Sequence, residues 1–417
     1  MSENKNVQTQ QQAVKAMQQK PKFDFKQYGM LIALGVIIAF FYVLTGGKLL
    51  KPMNVSNLIF QNAYVIILAI GMLLCILTGG NIDLSVGSVV GLIGACAGTF
   101  IIEWGWNVYL SIILCLLIGI AIGAWQGFWI AYVGIPPFIC TLAGMLVFRG
   151  LCLLILNGMT LAPFPDAYQR LSTGFIPDIV EGFTIGGMKI NLLCLLVGIL
   201  LAVGFTASQI ISNNSRKRKG YEYQPMSSII IKSAIISVVI IGVFYLLSRY
   251  RGIPTVLIIL GLLLAVYTFF TQKTVKGRHL YAIGGNMKAA RLSGIKTKQM
   301  MFFAYANMSF IAAIAGLVFA ARLNSAAPTA GQSFEMDAIA SCFIGGASAY
   351  GGTGTVGGAL IGALIMGILN NGMSILGLSS NLLQVVKGLV LLGAVAFDVV
   401  SKNNLISLPF KSKAKKG

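Results

Sequence analysis

The chain has 417 residues, 57% of them hydrophobic and only 10% charged, with a mean hydropathy of +0.84. That composition leaves too little polar surface to cover a soluble globule and excludes one. A formal net charge of +20 does not mark a nucleic-acid binder, because the Lys and Arg residues collect in the tails and in a few loops between apolar runs, as in membrane proteins whose basic loops stay inside.

In chain order, residues 1–27 form a Gln- and Lys-rich polar stretch, which reads as a disordered cytoplasmic tail with no cleavable-signal pattern. Apolar windows of about 20 residues, enough to cross a bilayer, then recur to the end. Spans are expected near Tyr28–Thr45, Leu58–Leu77, Leu84–Ile102, Val108–Val133, Phe138–Leu156, Ile190–Ser208, Ser228–Leu247, Pro254–Thr271, Met300–Ala321, Ala338–Tyr350, Thr355–Gly372 and Leu382–Val400. Backbone groups in lipid must be satisfied within each segment, so these are helices. The expected fold is all-α: a polytopic integral membrane protein of about 10–12 helices, some broken by glycine. One transmembrane domain over 28–401 carries a basic insertion at 209–227 and a second cytoplasmic loop at 273–299, and it ends on a basic tail at 402–417.

The charged loops set the orientation. Lys5, Lys15, Lys20, Lys22 and Lys26 hold the N-terminus inside; Arg216 to Lys219, the basic loop after the eighth span and the closing "KSKAKKG" agree with it by parity. The acidic loops, with Glu103, Asp166, Asp178, Glu181, Glu335 and Asp337, fall outside, and only Arg249 and Arg251 dissent. Seven cysteines in apolar runs, odd in number and without ligand spacing, are small buried hydrophobes and make no metal site.

Two segments look alike. "TGGNIDLSVGSVVGLIGACAG" from Thr78 and "IGGASAYGGTGTVGGALIGALIMG" from Ile344 each run from a glycine break into a helix with small residues four apart. Gly87, Gly91 and Ala95 form one stripe, and Ala359, Ala363 and Gly367 the other, the spacing that lets helices approach closely in lipid. The second contains GxGxxG at Gly352, Gly354 and Gly357, but no acidic residue lies between Asp337 and Asp398 and no nucleotide site follows. Interrupted helices in corresponding halves also mark transport pathways. On that reading Asn81, Asp83, Ser85, Ser88, Thr353, Thr355, Asn370 and Asn371 are the candidate solute-contacting residues. Each also fits a helix cap or an interhelix hydrogen bond, Asp83 above all. Lys387 is expected to snorkel, and Arg149 to hold a structural partner or line the pathway.

The chain lacks a motor. Its one Gly-Lys pair, Gly47–Lys48, is followed by Leu49 and makes no Walker loop; His279 lies in a basic loop, and no carboxylate is expected in mid-span to relay protons. No catalytic constellation is visible, so the chain is not expected to be an enzyme, and no cofactor is called for. The loop from Lys273 to Met300 offers a docking element instead. A short helix over Met287–Lys296 presents Met287, Leu292 and Ile295 as apolar knobs, while Ala289, Ala290, Ser293 and Gly294 allow close approach to a partner's groove.

"YAIGGNMKAARLSGI" resembles the coupling segment of ABC importer permeases, with Lys288 where that family's core carries an acidic residue. Together with "GGNIDLSVGS", "LNSAAPTAGQSFEMDAIA", "GGTGTVGGALIGALIMGILNNG" and "VVKGL", it looks like the monosaccharide permeases of ribose, galactose and xylose importers. The spans flanking the 209–227 insertion are similar to those of the xylose or multiple-monosaccharide branch. The resemblance implies a homodimeric permease in a bacterial plasma membrane with both termini cytoplasmic. It implies an ATPase subunit that binds the ATP and docks through Gly284, Gly285, Asn286, Ala289, Ala290, Leu292, Ser293, Gly294 and Ile295, and an extracytoplasmic protein that delivers the sugar. An ion-coupled secondary transporter and a nucleoside permease of the same class remain alternatives.

Overall fold

The computed structural model describes residues 25–178, 184–185, 188–220, 223 and 225–402. Positions 1–24, 403–417, 221, 222 and 224, with Glu181, lie outside the described residues, so most of both expected tails and part of the basic insertion do too.

The chain opens with α1 (Phe25–Leu44), α2 (Pro52–Leu77), α3 (Val86–Gly98, extended by a π turn over Thr99–Glu103) and α4 (Val108–Phe128, extended by a π turn over Trp129–Val133). Then come α5 (Pro137–Ile155), a short α6 (Asp166–Thr173), the two-residue strands β1 (Thr184–Ile185) and β2 (Met188–Lys189), α7 (Leu192–Arg218) and α8 (Met226–Ser248). The remainder is α9 (Val256–Lys273), α10 (Val275–Gly285), α11 (Met287–Leu292), α12 (Thr297–Leu323), α13 (Phe334–Ile344), α14 (Val356–Ile375) and α15 (Ser380–Lys402). Ten helices among the described residues are long and apolar enough to cross a membrane, and Gly29–Leu44 adds a shorter apolar helix. This is the polytopic all-α architecture that the hydropathy predicts.

Two compact units result, Met1–Gly29 with Asp178–Arg249 and Met30–Pro177 with Tyr250–Gly417. The smaller unit is the α7–α8 hairpin and its strands, which pair antiparallel with Thr184 opposite Lys189. Phe244 lies against Gly198, where a Cβ would come within 2.5 Å of the Phe244 Cβ, and Thr206 and Ser237 hydroxyls meet at 3.2 Å. Arg249, the dissenting cation, sits over the Tyr245 ring at 5.8 Å, a cation–π contact that eases its placement.

In the larger unit α2 is the central helix, buried from Val65 to Leu77 on every side. A helix apolar all round belongs in the core of a bundle. Helix α12 lies against α4 along a glycine stripe: a Cβ on Gly119 would meet the Ala313 Cβ at 2.5 Å, one on Gly123 the Ala306 backbone at 2.7 Å, and one on Gly127 the Phe302 oxygen at 3.0 Å. Backbone contact of this kind gives dispersion its full range where lipid supplies no hydrophobic drive. Arg251, the second dissenting cation, stacks on Phe175 and Tyr250.

One expected span differs. Over Ala338–Tyr350 the structure has not a full crossing but an 11-residue helix, α13, followed by turns through 345–355. The segment that leads into it, Ala326 to Gly331, runs unwound beside α3, close enough that a Cβ on Gly98 would meet the Ala326 Cβ at 2.8 Å and one on Gly91 the Ala330 oxygen at 2.7 Å. Unwound backbone needs polar partners inside a membrane. Arg149 supplies them, donating from Nη1 to the Pro328 and Ala330 carbonyls at 3.1 and 2.6 Å. Of the two roles expected for Arg149, the structure shows the structural one.

Candidate functional site

The two look-alike segments meet. The Gly352 amide donates to the Leu77 carbonyl at 3.2 Å, at the end of α2, and a Cβ on Gly351 would lie 2.5 Å from the Gly79 Cα. A third element joins them. A Cβ on Gly284, near the end of α10, would overlap both the Leu77 oxygen and the Gly352 nitrogen, and the Tyr281 hydroxyl donates to the Gly354 carbonyl at 2.8 Å. Burial raises the Tyr281 phenol above its ordinary pKa and keeps it a donor, against a smaller lowering by its hydrogen bond with Thr271. Of the GxGxxG match, Gly352 packs backbone on backbone, Gly354 lies against Leu73 and Ala347, and nothing lies within 4 Å of a Cβ on Gly357. Gly352 has φ +70°, a left-handed conformation that only glycine adopts without strain, and it lies where any side chain would strike Gly285.

Beyond this junction the chain projects outward. Thr274 caps α10 by accepting from the Gly277 amide at 3.0 Å, and Asn286 caps α11 by accepting from the Ala289 amide at 3.0 Å, the geometry preferred at helix starts. The helix over Met287 is shorter than the sequence predicts. It ends at Leu292 because Gly294, at φ +85°, turns the chain so that the Ile295 amide donates to the Ala290 carbonyl at 3.1 Å. Of the expected docking residues, Gly285, Asn286, Met287, Ala289, Ser293 and Gly294 are exposed, Leu292 is 90% exposed, Gly284 and Ile295 are half-buried, and Ala290 is buried. Ala290 thus seats the helix instead of facing a partner.

The eight candidate solute residues fall into three places. Asn81, half-buried, donates to Thr78; Asp83, Ser85 and Ser88 are buried at the start of α3. Asp83 is no direct helix cap. Its Oδ1 accepts from the Ser85 amide and hydroxyl at 2.8 and 2.7 Å, and Gln126 of α4 donates to that hydroxyl at 2.8 Å. Thr353 and Thr355 are exposed at the near end of α14, where Thr355 caps the helix through the Gly358 amide. Asn370 and Asn371 lie at its far end, about 24 Å along the axis at 1.5 Å per residue. There Asn371 exchanges hydrogen bonds with Asn54 at 2.8 and 3.3 Å and donates to Gln61 at 3.1 Å. Gln126 thus joins Asp83 and Ser85 through the Ser85 hydroxyl, and Asn370 and Asn371 stand at the far end of α14 from the Thr353–Thr355 turn.

Two charged residues behave otherwise than the sequence predicts. Asp337 lies not in an exterior loop but in the first turn of α13, 1% exposed, and Lys387 of α15 does not snorkel. Lys387 Nζ donates to Asp337 Oδ2 at 3.0 Å and lies 2.8 Å from Oδ1, and the Tyr64 hydroxyl donates to Oδ2 at 3.1 Å. Tyr64 is midway along α2, so this ion pair lies against the central helix. Sequence reasoning missed it because the partners come from segments 50 residues apart and each alone reads as an edge residue. It also missed Gln126 and the α4 stripe of Gly119, Gly123 and Gly127, whose spacing of four was there to be read.

Compared with known proteins, residues 54–395 match the family described as the branched-chain amino acid transport system / permease component. The chain is 41% identical over 382 residues to the xylose transport system permease protein XylH of Haemophilus influenzae, covering 92% of this chain and 98% of that protein. It is 40% identical to the protein of that name in Escherichia coli, over 91% of this chain and 93% of the other. The ribose import permease protein RbsC of Escherichia coli is 34% identical, over 88% of this chain and 92% of its own length. No solved structure matches the chain.

Proposed function

The chain belongs to the branched-chain amino acid transport system / permease component family, and from that membership we infer that it is the membrane-spanning subunit of an ATP-driven importer of a monosaccharide such as xylose or ribose. Its similarity to xylose and ribose permeases along nearly the whole chain supports the substrate class. The chain supplies the passage, a separate ATPase binds ATP and provides the energy, and an extracytoplasmic binding protein delivers the sugar. Two copies form the passage in the bacterial plasma membrane, surrounded by lipid, with both termini in the cytoplasm.

One observation carries the mechanism: the exposed α11 is joined through Gly284 to the end of α2 and to the turn before α14, the two places where the bundle is interrupted. When the ATPase pair closes on α11, a rigid contact of backbone on backbone passes the displacement into both interrupted segments at once. Packed interiors transmit such shifts because they do not compress. Asn81, Asp83, Ser85, Ser88, Thr353, Thr355, Asn370 and Asn371 then lie on or beside the elements that move.

The test uses the chain with its ATPase. The native permease is expected to co-purify with that subunit and to take up xylose or ribose only with ATP and a sugar-loaded binding protein. Leu292→Glu places a charge on the most exposed apolar residue of α11 and should abolish both co-purification and uptake while leaving membrane insertion intact. Uptake driven by an ion gradient without an ATPase, or native uptake by the Leu292→Glu chain, would overturn the assignment.

A further inference from the structure

Three aromatic rings meet where α2, the end of α12 and the start of α13 pack together. Tyr64 of α2 stacks on Phe334 of α13 with centroids 3.8 Å apart and planes 21° from parallel, and Phe319 of α12 stands edge-on to both at 5.4 and 4.8 Å. Beneath them is the buried Asp337 carboxylate with its Lys387 partner. One turn beyond Phe319, in the last turn of α12, is Arg322, which makes no hydrogen bond or ion pair among the described residues. All of these except Asp337 are half-buried, so the cluster has a closed floor and an open rim.

A half-buried guanidinium with no protein partner is costly in lipid unless it reaches water, at the membrane surface or in a cavity. The donors and acceptors are also unequal to each other. Arg322 has five N–H donors unused, whereas Lys387 and Tyr64 take two of the roughly four lone-pair positions on Asp337, both on Oδ2, and Oδ1 accepts no hydrogen bond. What fits is a ligand with an apolar C–H face to lie on an aromatic ring and several hydroxyls that accept from a guanidinium and donate to a carboxylate. A sugar ring has both.

We propose that Tyr64, Phe319, Phe334, Arg322, Asp337 and Lys387 form a transient binding site for a neutral monosaccharide within the membrane, with the ring stacked on the aromatic rim and its hydroxyls bonded to Arg322 and Asp337. The proposal rests on the importer reading above. It adds a place where the chain itself grips the sugar, between an interrupted helix and the central helix, so that the passage selects its solute as well as conducting it.

The experiment measures saturation-transfer difference NMR of xylose on the purified permease–ATPase complex without binding protein, and uptake of xylose and ribose by the full complex in proteoliposomes. The native complex should transfer saturation to the xylose C–H protons. Arg322→Gln and Phe334→Leu should each weaken that signal and lower uptake at least about tenfold, the loss of one charged hydrogen bond or one stacking contact. Arg322→Lys should restore part of both, and Phe100→Leu, in the separate Phe100–Trp104–Trp106 cluster, should keep the signal. If Arg322→Gln fails to assemble with the ATPase, Phe334→Leu and Arg322→Lys decide. Native-like signal and uptake, within twofold, in the Arg322 and Phe334 variants would refute this site and leave the importer reading standing. Absence of any ATP-driven monosaccharide uptake by the native complex would refute that reading, and this site with it.

Discussion

Gly284→Ala tests whether α11 is joined to the bundle by backbone contact. The added Cβ would overlap the Leu77 carbonyl oxygen and the Gly352 amide nitrogen, and no flexible side chain is there to swing aside. The elements must part by roughly 1 Å, an overpacking cost near the upper end of its usual range, about 3 kcal/mol. The Gly352 to Leu77 hydrogen bond lies in the same gap, and its loss adds about 1 kcal/mol. Alanine returns about 1 kcal/mol of helix propensity, so the net loss is about 3 kcal/mol. Gly285→Ala is the control, because nothing lies within 4 Å of a Cβ there, and it should be neutral or stabilising by up to about 1 kcal/mol. Thermal unfolding in detergent, followed by fluorescence-detected size exclusion, measures both, and sugar uptake per ATP hydrolysed should fall for Gly284→Ala. A Gly284→Ala protein that melts with the native one, or a Gly285→Ala protein as damaged as its neighbour, would refute the reasoning.

The ion pair and the amide ladder give two further expectations. Lys387→Met leaves Asp337 buried without its partner and should cost about 3–5 kcal/mol, whereas the double variant with Asp337→Asn should regain most of that; a melting series shows it, and equal damage in single and double variants would contradict the pairing. Asn371→Leu removes the bonds that tie α14 to Asn54 and Gln61 and should cost about 1–2 kcal/mol, since interhelix hydrogen bonds in membranes are individually modest. An unchanged melting temperature would show that this ladder holds nothing.

The division of the chain into membrane helices was legible because hydropathy acts locally: each span declares itself within its own 20 or so residues. The small-residue stripes at Gly87 and Ala359 and the short exposed helix at Met287 were legible for the same reason. The stop before Gly294 was missed, since the expected helix ran on to Lys296 although a glycine in it could take the left-handed turn that ends it. The sequence alone could not say which glycines touch. Gly80, Gly284 and Gly352 come from three separate segments, and only the assembled bundle brings them to one junction where a Cβ would collide. Nor could it separate Ala289 from Ala290, alike in the sequence and opposite in burial. The charges were misread for a related reason: hydropathy places Asp337 and Lys387 at the edges of apolar windows, but an ion pair lowers the cost of both, and with its partner in reach a charge can lie at a depth its own segment would forbid. Local chemistry fixed which segments enter the membrane; pairing across the bundle decided how deep the polar groups go and which elements move together.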